Sequence, residues 1–328
     1  MDGQLRRCQT SSSRAAAQVP TRRGCAAMRA KQREIFAPDL LSDKRILITG
    51  GGTGLGRGVA ARLVKHGAEV HLWGRREAVL AEAADEVSRA GAGAAYYQTV
   101  DVRDSSAVDG AIDEIWVRHG PVTSLLNNAA ANFIAPTESL SQRAFEAVTS
   151  TVMTGSFNTT VALGKRWIAG GLPGTVLSNL TTWVWSGSAF VVPSAMAKAA
   201  VHAMTMSLAV EWGRYGIRVN ALAPGPIPTE YAWEMLNPTD KSAVGATQVD
   251  QIPFGRSGTI DELANLTIFA FSDACDYLTG ETIAMDGGQR LAGPNTFASL
   301  TAMTDEDWAE ARERSKAASD AAKAQRSV

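Results

Sequence analysis

Arg45-Ile-Leu-Ile-Thr-Gly-Gly-Gly-Thr-Gly-Leu-Gly56 begins as a short apolar run, breaks into a glycine-rich turn and enters a helical pattern that continues to about His66. The apolar run lacks polar alternation, which suits a strand covered on both faces. The turn then decides the fold. Glycines let a backbone approach a pyrophosphate without a Cβ clash, and the following helix N-terminus offers free N–H groups and partial positive charge to the anion. A glycine-rich loop alone is weak evidence, but this one stands at the strand–helix junction that the chemistry requires. Gly50, Thr53, Gly54, Leu55 and Gly56 are therefore expected at a bound cofactor.

The alternation repeats outward from this stretch. Glu69–Trp73, Ala95–Val100, Ser124–Leu126, Gly174–Leu180, Arg218–Leu222 and Thr282–Met285 read as strands. Helical patterns over about Glu77–Ala90, Ser105–His119, Gln142–Ala169 and Ser194–Tyr215 separate them. Strands alternating with helices predict an α/β fold: a single doubly wound parallel-sheet Rossmann domain with helices on both faces. No Pro/Gly linker divides residues 40–290, which are expected to form one cofactor-binding catalytic domain. Residues 1–37 read as an N-terminal extension and 291–328 as a charged helical tail.

Composition excludes several classes. The 328 residues are 45% hydrophobic and 20% charged, ordinary for a globular chain. No apolar run approaches the ~20 residues that a membrane-spanning helix needs. Cys8, Cys25 and Cys275 are too few and too scattered for a disulfide scaffold. His66, His71, His119 and His202 show no ligand spacing along the chain, so no metal site is expected. Residues 1–37 carry +6 and the remainder −7, and an acidic body has no electrostatic footprint for nucleic acid. The Ser/Ala/Arg-rich residues 1–30 lack the apolar core of a secretory signal. They read either as an over-extended start, with Met28 as the first residue, or as an organellar transit peptide. The corresponding locations are cytoplasmic and mitochondrial.

The end of the second strand selects the nucleotide. A dinucleotide fold for NAD usually places an acid there to accept the ribose hydroxyls. This chain has Trp73-Gly74-Arg75-Arg76 instead. A guanidinium binds a 2′-phosphate bidentately, so Arg75 and Arg76 predict NADP(H).

Thr-Gly-x-x-x-Gly-x-Gly at 49–56, Asp101-Val102, Asn127-Asn-Ala-Ala130, Lys198 and Pro224-Gly-Pro-Ile227 together resemble the short-chain dehydrogenase/reductase family over about residues 43–290. The resemblance implies that Asp101 and Val102 border the adenine and that Asn127 and Ala129 line the cofactor. It also implies that Lys198 holds the nicotinamide ribose while Pro224, Gly225, Pro226 and Ile227 pass the nicotinamide amide. Most members carry Tyr-x-x-x-Lys, the tyrosine protonating a carbonyl oxygen. Here the stretch is Ser194-Ala-Met-Ala-Lys198.

One subgroup lacks that tyrosine. Gly50–Gly56, Asn127–Glu138, Phe190–Lys198 and Glu262–Asn265 resemble the mitochondrial-type 2,4-dienoyl-CoA reductases, as does a tail helix around Trp308. Their hydride goes to a carbon conjugated with a thioester, so the site needs donors for a thioester oxyanion rather than an acid for a ketone. By that resemblance Thr154 and Trp183 take the donor positions, beside Lys198 and Ser194. The resemblance also implies that Arg103 contacts the coenzyme A of an unsaturated acyl-CoA and that the chain forms a homotetramer. Trp183, Trp185, Tyr231 and Trp233 concentrate aromatics on two loops expected to flank the nicotinamide, where Trp185, Tyr231 and Trp233 would shape the substrate pocket. Two other readings stay open: an NADP-dependent oxidoreductase acting on another carbonyl or enone, and a catalytically silent NADP-binding subunit.

Overall fold

The structure is a computed structural model and describes residues 34–132, 134–229, 249–293, 300 and 303–326. Seven parallel strands form the centre: β1 (Arg45–Thr49), β2 (Glu69–Gly74), β3 (Ala94–Thr99), β4 (Ser124–Asn127), β5 (Gly174–Asn179), β6 (Ile217–Pro224) and β7 (Thr282–Met285). Their order is β3-β2-β1-β4-β5-β6-β7, every neighbouring pair parallel. The chain winds one way from β1 to β3 and the other way from β4 onward. The crevice at the carboxyl ends of β1 and β4, where the order reverses, is where such sheets bind ligands.

Side chains of β1 explain the two faces. Ile46 and Ile48 enter a core shared with α1 (Gly54–Lys65) and α2 (Glu77–Ser88), whereas Leu47 enters one shared with α3 (Ser105–His119). Period-two alternation sends neighbours to opposite faces, so a strand buried on both sides is apolar throughout. Further along come α4 (Gln142–Thr149), α5 (Gly155–Gly170), α6 (Trp183–Ser186), α7 (Val192–Trp212), α8 (Ile260–Phe271) and α9 (Gln289–Ala292). The core of α1 and α2 takes in Leu263, Ile268 and Phe271 of α8, and that of α3 takes in Leu163 and Trp167 of α5 with Trp212 of α7. All of this lies within the compact unit Phe36–Asn295; α10 (Asp305–Arg326) belongs to a second unit. Residues 1–33 lie outside the described residues.

Helix α8 is not expected from the sequence, and two departures lie nearer the site. The helix expected over Gln142–Ala169 is interrupted at Ser150–Thr154 by a wider π-helical turn. Thr149, Ser150 and Thr151 each donate a hydroxyl hydrogen bond to the carbonyl four residues back, on Phe145, Glu146 and Ala147. Three consecutive side chains competing for the ladder loosen it locally, and such turns are frequent at functional sites. The second departure is Trp183–Ser186, expected as loop and found as one helical turn, α6.

At the amino end of β2, away from the crevice, Glu69 receives hydrogen bonds from Arg45 Nε at 2.6 Å and His71 Nε2 at 2.9 Å. Burial pushes the Glu69 carboxyl up, but the bonds to Arg45 and His71 outweigh it and hold the group below its ordinary range. Burial pushes His71 down to about 4, which keeps its ring neutral.

Candidate active site

The glycine turn sits at the β1/β4 crossover. Thr53 caps α1 without a side-chain hydrogen bond, and no acid occupies the first turn. By contrast Asp104, Ser141 and Thr259 cap α3, α4 and α8 with their own oxygens. The N–H groups of α1 are thus left for an external anion. Two glycines are required by geometry. Gly50 has φ +65°, and a Cβ on Gly56 would lie 2.4 Å from the carbonyl oxygen of Gly50. Thr49 ties the two strand ends together, its Oγ1 accepting the backbone N–H groups of Asn128 and Ala129 at 3.0 Å.

A cleft of 320 Å³ opens from this turn, lined by Gly50, Gly52, Thr53, Arg75, Arg76 and Asp101, with Val102, Ala129 and Thr151 among its other walls. Trp73 forms part of the wall, fixed by its indole N–H on Gln98 Oε1 at 2.8 Å. Both guanidiniums at the rim are exposed, and neither Arg75 nor Arg76 has an ion-pair partner among the described residues. Exposed cations beside this glycine turn could hold a phosphorylated ribose. Uncapped helix, glycine crowding and free guanidiniums together fit a phosphorylated dinucleotide.

Several expected cofactor residues stand elsewhere. Asn127 is turned into the protein: its amide donates to Thr160 Oγ1 at 2.9 Å, and its carbonyl accepts from Thr159 at 2.8 Å. As the last residue of β4 it points at α5, so its neighbour Asn128 reaches the loop, donating to the carbonyls of Thr49 and Gly50. Leu55 packs its side chain on the core, and Gly54 and Gly56 shape the turn from beneath. Pro224, Gly225, Pro226 and Ile227 leave β6 beside β7, where a Cβ on Gly225 would come within 2.8 Å of Asp286. Gly52, Gly74, Val79, Leu80 and Thr151 are wall residues the sequence reading missed.

Arg103 is engaged by Asp101, Nε lying 2.9 Å from Oδ1 with the backbone N–H on the same oxygen. That pairing with Arg103 holds the Asp101 carboxyl below its usual range. The arginine expected at the substrate is therefore oriented by the aspartate expected at the adenine.

The catalytic half gathers on α7. Ser194 and Lys198 stand one turn apart and are both buried. Burial alone pushes Lys198 down to about 8, and its ammonium donates to the backbone carbonyl of Asn179 at the end of β5. Asn179 in turn donates to Asn128 Oδ1 at 3.0 Å, which links the lysine to the glycine loop. Asn179 Oδ1 is buried with no partner among the described residues, an acceptor free for a ligand hydroxyl. The π turn that ends at Thr154 and the short helix α6 that begins at Trp183 both pack on α7. Phe190, ahead of α7, has φ +65°, and its carbonyl accepts the Ala135 N–H at 3.0 Å.

Trp185 is 41% exposed, its ring under the Arg290 guanidinium of α9 at 4.7 Å and edge-on to His202 at 6.1 Å. Tyr231 and Trp233 lie outside the described residues. Of the other tyrosines, Tyr96, Tyr97, Tyr215 and Tyr277, none lines the cofactor cleft. The described part of the site thus offers hydroxyl, indole and ammonium donors and no phenol.

Fold and cleft define a nicotinamide-dependent oxidoreductase. Residues 50–290 match the family described as enoyl-(acyl carrier protein) reductase, and the chain belongs to the short-chain dehydrogenase/reductase family. It is 40% identical over 248 residues to a "Probable 2,4-dienoyl-CoA reductase [(3E)-enoyl-CoA-producing]" of Caenorhabditis elegans, covering 75% of this chain and 80% of that one. A Bacillus subtilis relative described as (2E)-enoyl-CoA-producing is 39% identical, covering 76% of this chain and 98% of its own. Among solved structures, a short-chain dehydrogenase from Bacillus anthracis superposes with TM-score 0.68 at 40% identity, over 76% of this chain and 97% of that one. A gluconate 5-dehydrogenase from Burkholderia cenocepacia, solved with NADP and tartrate, gives 0.70 at 32% identity, over 77% and 97%.

Proposed function

We propose that the protein reduces 2,4-dienoyl-CoA thioesters with NADPH. One observation carries the reading. The cofactor cleft and the buried Lys198 are intact, yet the residue one turn before the lysine is Ser194, whose hydroxyl is far too weak an acid to protonate a ketone near neutral pH. A conjugated thioester needs no such acid. The Caenorhabditis elegans and Bacillus subtilis relatives are both described as probable 2,4-dienoyl-CoA reductases, which supports the same substrate class.

The bound nicotinamide would supply a hydride to the far end of the diene. The electron pair then moves through the conjugated system onto the thioester oxygen, leaving a dienolate. The Thr154 hydroxyl and the Trp183 indole N–H are assigned to that oxyanion, since donors preorganised where charge develops stabilise it most. Lys198 is assigned to the nicotinamide ribose, and Ser194 to support of the lysine. Gly50, Thr53 and the open N–H groups of α1 would hold the pyrophosphate, Arg75 and Arg76 the 2′-phosphate, and Asp101, Val102 and Ala129 the adenine side. Trp185, Tyr231, Trp233 and Arg103 are assigned to the acyl-CoA. Protonation of the dienolate at the α-carbon gives a 3-enoyl thioester and at the γ-carbon a 2-enoyl thioester, the two outcomes named among the relatives. A homotetramer is part of the same proposal; Phe157 on α5 and Val210 on α7 are exposed apolar side chains that such an assembly would cover.

The test is NADPH oxidation by the purified chain with 2,4-hexadienoyl-CoA, a ketone panel and simple enones, with the product double bond located by NMR. Turnover of the dienoyl thioester above the others is expected. Turnover of ketones alone would overturn the reading, and NADPH binding without turnover of any substrate would make the chain a silent cofactor-binding subunit.

A further inference from the structure

At the opposite end of β2 from the cofactor cleft, parallel pairing sets His71 against Tyr96, and the end of α3 lays His119 over both. Glu69 lies on the same strand face as His71, two residues earlier. One ligand atom from each of Glu69, His71 and His119 lies within 4.8 Å of the others. Glu69 Oε1 is 2.9 Å from His71 Nε2 and 3.5 Å from His119 Nδ1.

We propose that Glu69, His71 and His119 bind a borderline divalent metal ion, zinc being the best match, at a site separate from the active site. Two imidazoles and one carboxylate with an open fourth position are a donor set that zinc favours. Metal–ligand distances of about 2.0–2.2 Å in a tetrahedron put ligand atoms about 3.3 Å apart. The two distances from Glu69 bracket that value, and the remaining pair closes by a swing of His119. The ring can swing: it ends α3, it is 22% exposed, and Gly120 follows in the left-handed region at φ 95°. On metal binding the Nε2 proton of neutral His71 moves to Nδ1, freeing the Nε2 lone pair, with no net proton change on that ring. Arg45 donates its Nε to the same Glu69 Oε1 at 2.6 Å and its Nη1 to the carbonyl of Pro121 at 2.9 Å, and so holds the carboxylate in place. Its charge also weakens cation binding, so affinity below that of the same three ligands without the arginine is expected. The fourth position opens into a cleft of 260 Å³ lined by Tyr96, Glu114 and Arg118, where water can complete the tetrahedron. A bound ion would pin the end of α3 to β2. Linear spacing hid this group, because strand register and a helix end bring its members together.

The test uses the full chain, freed of metal by chelation and titrated with cobalt(II). A saturable one-to-one signal with the visible bands of tetrahedral cobalt, displaced by zinc, is expected. His119→Gln should weaken cobalt binding at least about tenfold, the lower range for losing even an outer-shell partner. NADPH affinity should be unchanged in that variant, which verifies its fold. Three results would each overturn the site: no saturable tetrahedral signal, equal binding by His119→Gln, or a thiolate charge-transfer band that places the ion on cysteine.

Discussion

The two halves of the crevice are built on different principles. The half at β1, β2 and β3, assigned above to the cofactor, offers mostly backbone: an uncapped helix and two glycines in positions where a Cβ is strained or crowded, with two exposed guanidiniums at the rim. The half at β5, α6 and α7 relies on side chains brought from three separate elements, with a loosened helix turn between them. Backbone recognition tolerates little variation, whereas side-chain donors can be exchanged. In this chain the first half keeps its family pattern while the second has Ser194 one turn before the lysine.

The largest effect should come where the halves join. Lys198 is bound to Asn179, and Asn179 to Asn128 of the glycine-loop side. Lys198→Met is expected to lower kcat/KM by about 10³-fold, the upper range for one preorganised donor. Loss of less than tenfold would show that the halves work independently. The same lysine sets a pH limb. Burial lowers its pKa to about 8, so kcat/KM should fall as pH rises through that value, and Lys198→Arg should remove the limb. Stability runs the other way: between about 8 and 10.5 the unfolded chain binds more protons than the folded one, so this group makes folding more favourable as pH rises. Urea titrations across that range read the slope.

Next comes Thr154→Val, which removes one of the two proposed oxyanion donors and should lower kcat about 10²-fold with little change in KM. This residue ends the π turn, which packs on α7. A KM effect without a kcat effect would move Thr154 from the transition state to simple substrate contact.

Legibility followed the same division. The strands and the glycine turn follow from local patterns, because each depends on a contiguous stretch, and their alternation with helices implies a parallel doubly wound sheet without giving its strand order. What could not be read depends on direction and competition. Asn127 and Asn128 are adjacent and identical, and only strand geometry decides that the first faces α5 and the second the loop. The π turn arises from Thr149, Ser150 and Thr151 acting together, although each alone is tolerated in a helix. Arg103 is expected at the substrate, but no local pattern signals that Asp101, two residues away, orients its guanidinium. Helix α8 carried a readable signal in Thr259-Ile-Asp-Glu262, whose reciprocal capping box is formed.

A smaller effect should sharpen the cofactor half. Arg75 has no ion-pair partner among the described residues, so its guanidinium is available to a 2′-phosphate. Arg75→Ala should weaken NADPH roughly tenfold to a hundredfold while leaving NADH nearly unchanged, as expected for a charge-assisted hydrogen bond. Fluorescence titration with both nucleotides measures it. Equal losses for the two would mean that Arg75 contributes only a general field.

The smallest effect is expected at the position where the family pattern is broken. Ser194 is 5% exposed and stands one turn before Lys198. If thioester charge is stabilised rather than a ketone protonated, the Ser194 hydroxyl has no proton to deliver, and Ser194→Ala should change kcat by less than about tenfold. If Ser194 instead serves as the acid, the same variant should lose as much rate as Lys198→Met and shift the pH profile with it. Trp183→Tyr separates the two cases from the other side. A phenol at that position should raise dienoyl-CoA turnover if the oxyanion is held there, and should leave ketone reduction unaffected. A dead Ser194→Ala combined with a fully active Thr154→Val would reverse the comparison: the second half would then be an ordinary carbonyl reductase site with a serine in the acid's place.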